Sequence, residues 1–537
     1  MEWGRHLLVV PVLLPLIAGA ALLLVDERRH TLKALVSVAS TLVLLIVALA
    51  LLRVADGYDA DTLSMSYAVA SWPAPFAIVL VLDRLTALLL VTTSVLALAA
   101  LAFSLARWDR AGPHFHSLFQ FLLMGLGGAF LTGDLFNLFV FFEVTLAASY
   151  GLLLHGSGSF RVRSGLHYIS INLAASLLFL VGVSLIYGVT GTLNMADLAL
   201  RIPQVPAEDR MLLQAGAGVL GVAFLVKAGM WPLGFWLPPA YMAAAAPVGA
   251  IFVILTKVGV YVLLRLSVLL FGNLAGELAG FGSMALLWGG IATLLFATTG
   301  VLASQAMGRL AGYSVLISSG TLLAAIGVGN TAVVSGALFY LVSSTFAAAA
   351  LFMLIELVER AREPGADLLA VTMEAYGDKR EETDEPEDEE VGIIMPGALA
   401  VLGVSFGCIA LLLAGLPPLS GFVAKFAMLR GMLADGLQGG GVAASVWLLV
   451  ALVILSGLAA LVAMMRTGIR TFWAPLEIVV PRVLVIEVAP VLALVGLCFA
   501  MAVYGGTVIR YTDAASSTLH QPAIYIQGVL GAGEAEK

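Results

Sequence analysis

Long apolar runs, each bounded by charged or turn residues, follow one another along the whole chain of 537 residues. A helix needs roughly 20 apolar residues to cross a hydrocarbon core of ~30 Å, and in lipid only helices or closed barrels satisfy every backbone group. The alternation of period two that marks barrel strands is absent from the sequence. We therefore predict an all-α polytopic membrane protein with about 14 transmembrane helices. The runs cover residues 7–25, 32–52, 77–103, 116–132, 135–154, 168–189, 211–236, 240–264, 281–303, 310–328, 331–357, 392–429, 445–465 and 488–508.

Composition agrees with this class, since 61% of the residues are hydrophobic and only 11% are charged. Cys408 and Cys498 both lie in apolar runs, so we interpret them as packing residues and predict neither a disulfide framework nor a Cys-based metal site. The first run leads straight into "DERRH", which favours an uncleaved first span over a signal peptide.

One stretch, "DKREETDEPEDEE" at 378–390, carries nine acidic and two basic residues and so accounts for the formal net charge of −7. It is typical of a solvated linker between spans eleven and twelve. Two further interpretations are that it attracts cations at a cytoplasmic mouth or docks to a basic partner surface.

Basic residues give the expected orientation. Fourteen spans place both termini on one side of the membrane, and cytoplasmic loops carry an excess of Lys and Arg. With both termini outside, fifteen Lys/Arg lie on the cytoplasmic side and eight lie outside. We therefore expect a multi-pass protein with both termini outside, on the face away from the cytoplasm. The cytoplasmic basic residues include Arg28, Arg29, Lys33, Arg107, Arg110, Arg161 and Arg163.

A weak internal repeat joins two runs that Gly and Pro interrupt. "GMWPLGFW" at 229–236 and "GLPPLSGF" at 415–422 share a Gly and then Pro-Leu at the same offsets. Paired segments of this kind in corresponding halves are typical of inverted-repeat transporters, whose binding sites lie where helices break.

Four ionisable residues lie inside apolar runs, where a charge costs ~2.5–3.5 kcal/mol on insertion scales. They are Glu143, Lys227, Lys257 and Lys425. For each, the alternative is a side chain that snorkels to the interface or a structural ion pair. The Glu143 side chain cannot easily reach the interface, because it is short and lies near the middle of its run. Lys227 is also a poor interface anchor, because it is the only charge between Met211 and Thr256.

Such a set is suited to proton transfer. A lysine in a low-dielectric site releases its proton more readily, and a nearby carboxylate restores its hold on the proton, so a change in their separation loads or unloads the lysine. Polar residues could hold the connecting water, although each alone is more often a helix-packing hydrogen bond. The candidates are Asn137, Ser149, Tyr150, His155, His167, Asn172 and Gln214.

Other chemistries have no sequence support. The chain has no Walker loop, no GxGxxG after a strand, no HExxH and no cluster of His and Cys. We therefore expect no cofactor, no metal and no nucleic acid, and a secondary transporter component rather than an enzyme.

Three motifs together resemble a known family. "TGDLFNLFVFFEV" at 132–144, "VKAGMWPLGFWLPPAY" at 226–241 and "GLPPLSGFVAKF" at 415–426 are similar to the antiporter-like subunits that complex I shares with the Mrp cation/proton antiporters. The resemblance spans roughly residues 75–470, and the first motif and the chain length are most similar to the D-type subunits of the Mrp (Pha, Mnh) antiporters.

The resemblance implies two inverted five-helix repeats, broken seventh and twelfth helices, and a hydrophilic axis along the membrane midplane. It implies that Glu143 and Lys227 form an ion pair, that Lys257 is the lysine of the eighth span, and that Lys425 ends the relay. Many relatives carry a histidine in the eleventh span, where this chain reads "YLVSSTFAAAALF". Ser343 or Ser344 lies near that place, so a hydroxyl or water would have to bridge there.

The expected domains follow these repeats. Residues 1–106 hold three N-terminal spans, 107–265 the first repeat (spans 4–8), 266–470 the second repeat (spans 9–13) with the acidic loop 360–391, and 471–537 the last span and tail.

The resemblance implies a proton-translocating subunit of a multisubunit Na⁺(Li⁺/K⁺)/H⁺ antiporter, which assembles with A-, B-, C-, E-, F- and G-type subunits and handles protons and monovalent cations. Two alternatives stay open at this point. One is a proton-pumping subunit of a redox complex, of the complex I or membrane hydrogenase type, and the other is a structural spacer that does not conduct.

Overall fold

The computed structural model of the protein describes residues 6–57, 65–69, 72, 74–75, 78–360, 397–437, 441–473 and 483–531. Within these residues, twelve helices are long and apolar enough to cross a membrane, and two shorter apolar helices lie at Val10–Leu24 and Phe115–Leu131. Each of the fourteen predicted runs overlaps one of these helices, so the predicted fold class is confirmed. The acidic stretch 378–390 lies outside the described residues.

The elements are numbered in chain order. The helices are α1 (Val10–Leu24), α2 (His30–Asp56), α3 (Arg84–Ser104), α4 (Phe115–Leu131), α5 (Leu135–Leu154), α6 (Ser159–Thr190), α7 (Met195–Arg201), α8 (Arg210–Ala228), α9 (Leu237–Ala243), α10 (Ala246–Leu269), α11 (Ser283–Ala303), α12 (Met307–Val328), α13 (Thr331–Glu359), α14 (Gly397–Ala414), α15 (Ser420–Leu437), α16 (Ala444–Gly468), α17 (Val485–Val503), α18 (Gly505–Leu519) and α19 (Pro522–Leu530). Short 3₁₀ turns lie at Trp108–Arg110, Ile202–Gln204 and Asn273–Leu278, and a π-helical turn lies at Ile469–Trp473.

A small hairpin precedes the third span. Strands β1 (Met65–Ala68) and β2 (Val79–Leu82) pair antiparallel, with Met65 opposite Leu82. The sequence places residues 79–82 at the start of a helical span, whereas the helix begins at Arg84. All four residues of β2 are buried, and a short run that is apolar on both faces cannot be told from buried helix by periodicity.

The seventh and twelfth spans are broken, as predicted. α8 ends at Ala228, and Gly229 follows it with a φ of 76° before the short helix α9 begins. α14 ends at Ala414, and Gly415 follows with a φ of 75° before α15 begins. Both glycines adopt the left-handed conformation that ends helices and that side chains with a Cβ disfavour. Each break falls within one copy of the Gly/Pro-Leu repeat.

Two helices form the centre of the bundle. The apolar core of α13 is entirely buried, and that of α10 is 94% buried. α13 packs against α10, α12, α14, α15, α17 and α18. Large apolar side chains are exposed on the peripheral helices instead, for example Leu35 on α2, Leu177 on α6 and Leu458 on α16. The outer surface is therefore suited to lipid, and the buried polar groups of α13 and α10 face protein.

One end of the bundle, which we call the basic end, gathers the loops after α3 and α5, the start of α10 and the end of α13. Arg161 Nε donates to the carbonyl of Ala243 at 2.9 Å, and Trp108 Nε1 donates to the Glu356 carboxylate at 2.8 Å. Arg107 and Arg360 also pair with Glu356. The loops of both halves of the chain are thus tied together at this end.

Candidate functional site

The structure places the four predicted ionisable residues on four different helices inside the bundle. Glu143 lies in the middle of α5, and Lys227 lies in the last turn of α8, just before the break. Lys257 lies in the middle of α10 and is 0% exposed. Lys425 lies in the second turn of α15, just after the other break, and is 7% exposed.

Glu143 and Lys227 lie within electrostatic range but do not form a direct salt bridge in the described part of the chain. The lysine ammonium interacts electrostatically with the Glu143 carboxylate, and its Nζ lies 5.5 Å from the centre of the Phe142 ring. Glu143 Oε1 is buried and has no hydrogen-bond partner among the described residues. Because no hydrogen bond joins the two side chains, the distance between the carboxylate and the ammonium can shorten or lengthen. In a closed, fully hydrogen-bonded pair the same change would break a hydrogen bond.

A cavity of about 30 Å³ adjoins Lys227 and is lined by Thr145, Tyr168, Asn172 and Trp236 among others. This volume suffices for a water molecule, and the polar side chains supply partners for it. The Tyr168 hydroxyl is also 2.6 Å from Ser149 Oγ. The structure therefore places one of the predicted water-holding residues, Asn172, in the lining of the Lys227 cavity, and a second, Ser149, in contact with Tyr168 of that lining.

Two other candidates from the sequence lie elsewhere. Asn137 donates to Thr132 Oγ1 at 3.0 Å at the start of α5, and His167 is exposed and bonds to the carbonyl of Arg163. Both act in local helix structure. Tyr150 and Gln214 do not line the Lys227 cavity.

Lys257 begins a buried chain of hydroxyl groups. Its Nζ donates to Ser318 Oγ on α12 at 2.7 Å, and Ser318 Oγ lies 2.8 Å from Ser344 Oγ on α13. Ser344 is one of the two serines that the sequence suggests in place of the histidine of many relatives. Ser318, the direct partner of the lysine, was not predicted from the sequence.

The chain of hydroxyls reaches a second, smaller cavity. Tyr340, Ser343, Ser344 and Leu413 line about 10 Å³ of space between α13 and the end of α14, close to the lower limit for one water molecule. Ser343 Oγ lies 2.8 Å from Ser420 Oγ, the first residue of α15. The cavity thus lies between the serines of α13 and the helix that carries Lys425.

Lys425 is held by the broken end of α14. Its Nζ donates to the carbonyls of Leu413 and Ala414 at 3.1 and 3.0 Å. These are among the last carbonyls of the helix, which have no partner within it and carry its partial negative charge. A Cβ on Gly415 would lie 2.5 Å from Lys425 Cδ, so the glycine leaves room for the lysine as well as ending the helix.

The four ionisable residues thus form three groups that lie near one another inside the bundle. Glu143 and Lys227 form the first, Lys257 with Ser318 and Ser344 the second, and Lys425 the third. α10 packs directly onto the turn of Lys227, because a Cβ on Gly259 would lie 3.1 Å from the Lys227 carbonyl carbon. In the described residues, no group of three or more His, Cys, Asp or Glu side chains could hold a metal ion.

Comparison with known proteins places the chain among membrane antiporter subunits. The family described as "NADH:quinone oxidoreductase/Mrp antiporter, TM" matches residues 132–459, the segment that holds all four ionisable residues. A Rhizobium meliloti protein, named as a probable D-type K⁺/H⁺ antiporter subunit, is 58% identical over 99% of this chain and 99% of its own length. The D-type Na⁺/H⁺ antiporter subunit of Bacillus subtilis is 33% identical over 98% of this chain and 99% of its own length.

Solved structures have the same architecture. A chain in the structure of the Mrp complex from Dietzia superimposes with a TM-score of 0.80 and 26% identity, and the match covers 99% of this chain and 100% of that one. A chain of respiratory complex I from Thermus thermophilus gives a TM-score of 0.73 at 23% identity, with 96% and 99% of the two chains covered. The second likeness is one of fold alone.

Proposed function

The chain belongs to the NADH:quinone oxidoreductase/Mrp antiporter family, and from this membership we propose that it is the proton-translocating D-type component of a multisubunit antiporter of protons and monovalent cations. Glu143, Lys227, Lys257 and Lys425 carry the protons. The other subunit types of the complex are its partners, and cation movement takes place largely in them. We also propose that it catalyses no covalent reaction.

The observation that carries this proposal is the buried chain from Lys257 through Ser318 to Ser344, which ends at a cavity beside the helix of Lys425. Burying a lysine on α10 with hydroxyl partners costs free energy that an apolar residue would not cost. A purely structural subunit would gain nothing from burying a lysine at this free-energy cost. A proton carrier, by contrast, needs a group that can exchange its proton inside the membrane.

Electrostatic coupling drives the relay. With the Glu143 carboxylate close and charged, Lys227 keeps its proton; when the carboxylate moves away or is neutralised, the lysine releases it toward Lys257. A protonated Lys257 and a second positive charge nearby disfavour each other. The proton therefore moves on through the serines to Lys425.

The cation is monovalent, and K⁺ is the first to test. The relative with 58% identity is named for K⁺, and those with about a third of their residues identical are named for Na⁺. No described side chain distinguishes the two ions, so we place selectivity in the partner subunits.

A redox-driven pump subunit is the second candidate, because a complex I chain shares the fold. This candidate predicts proton movement that depends on quinone or hydrogenase chemistry and does not depend on K⁺ or Na⁺. The sequence relatives above all carry antiporter names over nearly the full length of this chain, which favours the cation-coupled function.

We further propose that the basic end faces the cytoplasm, with both termini periplasmic, in the bacterial inner membrane. The excess of Lys and Arg in the loops of this end supports that orientation. The predicted division into 1–106, 107–265, 266–470 and 471–537 is retained as part of this proposal, because the two helix breaks fall in the second and third of these segments.

Cation-dependent proton flux in everted vesicles tests the function. In the assembled complex, Lys227→Ala, Lys257→Ala and Lys425→Ala should each abolish flux driven by K⁺ or Na⁺, because each removes one carrier of the series. Lys33→Ala is the matched control: Lys33 is also buried, but it pairs with Glu27 at 2.6 Å near the membrane edge. Flux that survives all three substitutions, in a complex with normal subunit content, would establish the spacer alternative.

A further inference from the structure

A second cluster of buried titratable groups lies at the basic end, apart from the four relay residues. Asp109 lies in the turn after α3, His116 in the first turn of α4, and His155 directly after α5. All three are at most 6% exposed. His116 Nε2 lies 3.8 Å from Asp109 Oδ2, so the two are close enough to interact as charges.

The cluster has unused hydrogen-bonding capacity. Neither ring nitrogen of His116 nor Oδ1 of Asp109 has a hydrogen-bond partner among the described residues. Buried polar atoms nearly always have a partner, and exceptions call for an explanation. Gln120, one turn deeper on α4, shows the contrast, because its amide bonds to Ser37, Ser40 and Thr41. The Gln120 amide thus finds its partners on a neighbouring helix, whereas the His116 ring finds none among the described residues.

The neighbours of the cluster are hydrogen-bonded, exposed or already paired, whereas both ring nitrogens of His116 are without partners among the described residues. His155 Nε2 lies 2.7 Å from the Trp108 carbonyl, to which it donates when neutral. Burial lowers the pKa of His155, and the charges of Arg161 and His116 lower it further against the opposing effects of the Trp108 carbonyl and Asp109. The other charged neighbours are exposed or already paired. Arg110 lies beside Asp109, and Glu27, between α1 and α2, pairs with Lys33 and His114.

The cluster is linked to two cavities through the residues beside it. On its outer side Trp108, Arg161 and Glu356 line a cleft of about 810 Å³ at the basic end. On its inner side α5 leads from His155 to Ser149, about 9 Å further along the helix axis. Ser149 bonds to Tyr168, which lines the Lys227 cavity.

We propose that Asp109 and His116 form a proton-exchange site that connects the cleft at the basic end to Lys227. Water in the cleft gives a proton to a free ring nitrogen of His116, and the imidazolium is stabilised by Asp109. His116 then passes that proton to Lys227 by way of intervening water, Ser149 and Tyr168, and returns to its neutral form. The opposite direction uses the same steps in reverse. This inference rests on the proposed function, since it supplies the entry of the relay that ends at Lys425.

Everted vesicles expose the basic end to the bath, so the bath pH tests the site directly. His116→Gln and Asp109→Asn should slow cation-dependent proton flux about tenfold, since a positioned proton-transfer group contributes at least that much. They should also flatten the dependence of the rate on bath pH, measured at values from about 6 to about 8. His520→Gln, at the opposite end of the bundle, is the matched control.

Chemical rescue separates proton exchange from a structural role. In His116→Ala, imidazole added to the bath should restore part of the flux by filling the space of the lost ring, and it should not restore flux in Lys425→Ala. Infrared difference spectra of the intact complex between the same two pH values should contain an imidazole signal that Asp109→Asn shifts. This measurement applies even where a His116 variant does not assemble.

The outcomes distinguish this inference from the function on which it rests. If His116→Gln and Asp109→Asn keep the rate and pH profile of His520→Gln while Lys227→Ala abolishes flux, the exchange site is wrong and the relay stands. If Lys227→Ala keeps its flux, the relay itself is wrong.

Discussion

At the scale of single residues, the charged members of the site can be predicted and the uncharged members cannot. Lys257 is conspicuous because a charge inside a long apolar run is expensive. Ser318 is not, because serines are common in membrane helices and usually bond to their own backbone. Ser314 and Ser405 do so in this structure. Nothing in the sequence distinguishes them from the serine that accepts a hydrogen bond from Lys257.

The hydroxyl chain gives a prediction at this scale. Ser318→Ala and Ser344→Ala should each reduce cation-dependent proton flux about tenfold, because each removes a group through which Lys257 exchanges its proton. Ser319→Ala is the matched control, since Ser319 is equally buried but its hydroxyl has no partner among the described residues. Equal rates in all three variants, measured in everted vesicles at matched subunit content, would show that protons leave Lys257 by another way.

At the scale of elements, the helix breaks are the part of the site that the sequence shows best. Gly and Pro in two long apolar runs predict both breaks, and the structure places Lys227 and Lys425 beside them. The β1–β2 hairpin is the opposite case, because its second strand is buried on both faces and merges with the apolar run of α3. Asp109 and His116 lie at span ends, where polar residues are ordinary, so the sequence does not single them out.

The break after α14 gives a prediction at this scale. Gly415→Ala should lower flux strongly, because the new Cβ would lie 2.5 Å from Lys425 Cδ and the left-handed backbone costs about 1–2 kcal/mol for a residue with a Cβ. Gly407→Ala, within α14, is the control, since its Cβ would meet nothing within 4 Å. Comparing flux at matched assembly separates the two, and a Gly415→Ala complex with normal flux would contradict the assigned role of the break.

At the scale of the whole molecule, a buried ion pair joins α10 to the start of α3, and the contacts around it tie the C-terminal helices to the spans. Arg265 on α10 pairs with Asp83 at 2.5 Å, and its guanidinium lies 5.2 Å from the Tyr525 ring on α19. The nearby Asp56 pairs with Arg510 on α18 at 2.9 Å. None of these contacts could be predicted from the sequence, because they join residues far apart in the chain whose own surroundings look like ordinary loop ends.

This tie gives a prediction about stability. Arg265→Met should destabilise the folded chain by about 3–5 kcal/mol, because it leaves Asp83 buried and charged without its partner. Arg201→Met removes a half-exposed pair with Asp197 and should cost less than about 1 kcal/mol. Thermal unfolding of the purified complex in detergent measures both, and equal unfolding temperatures would show that the buried pair is dispensable.

The burial of α13 also has a consequence for how this protein depends on its membrane. A helix that contacts protein on every side has the surroundings of a core helix in a soluble protein, although it crosses a bilayer. Ser343 and Ser344 at its midpoint therefore never meet an acyl chain. The thickness and headgroup charge of the bilayer act on the peripheral helices, so a cell that changes its lipids with temperature or salinity leaves the surroundings of these hydroxyls as they were.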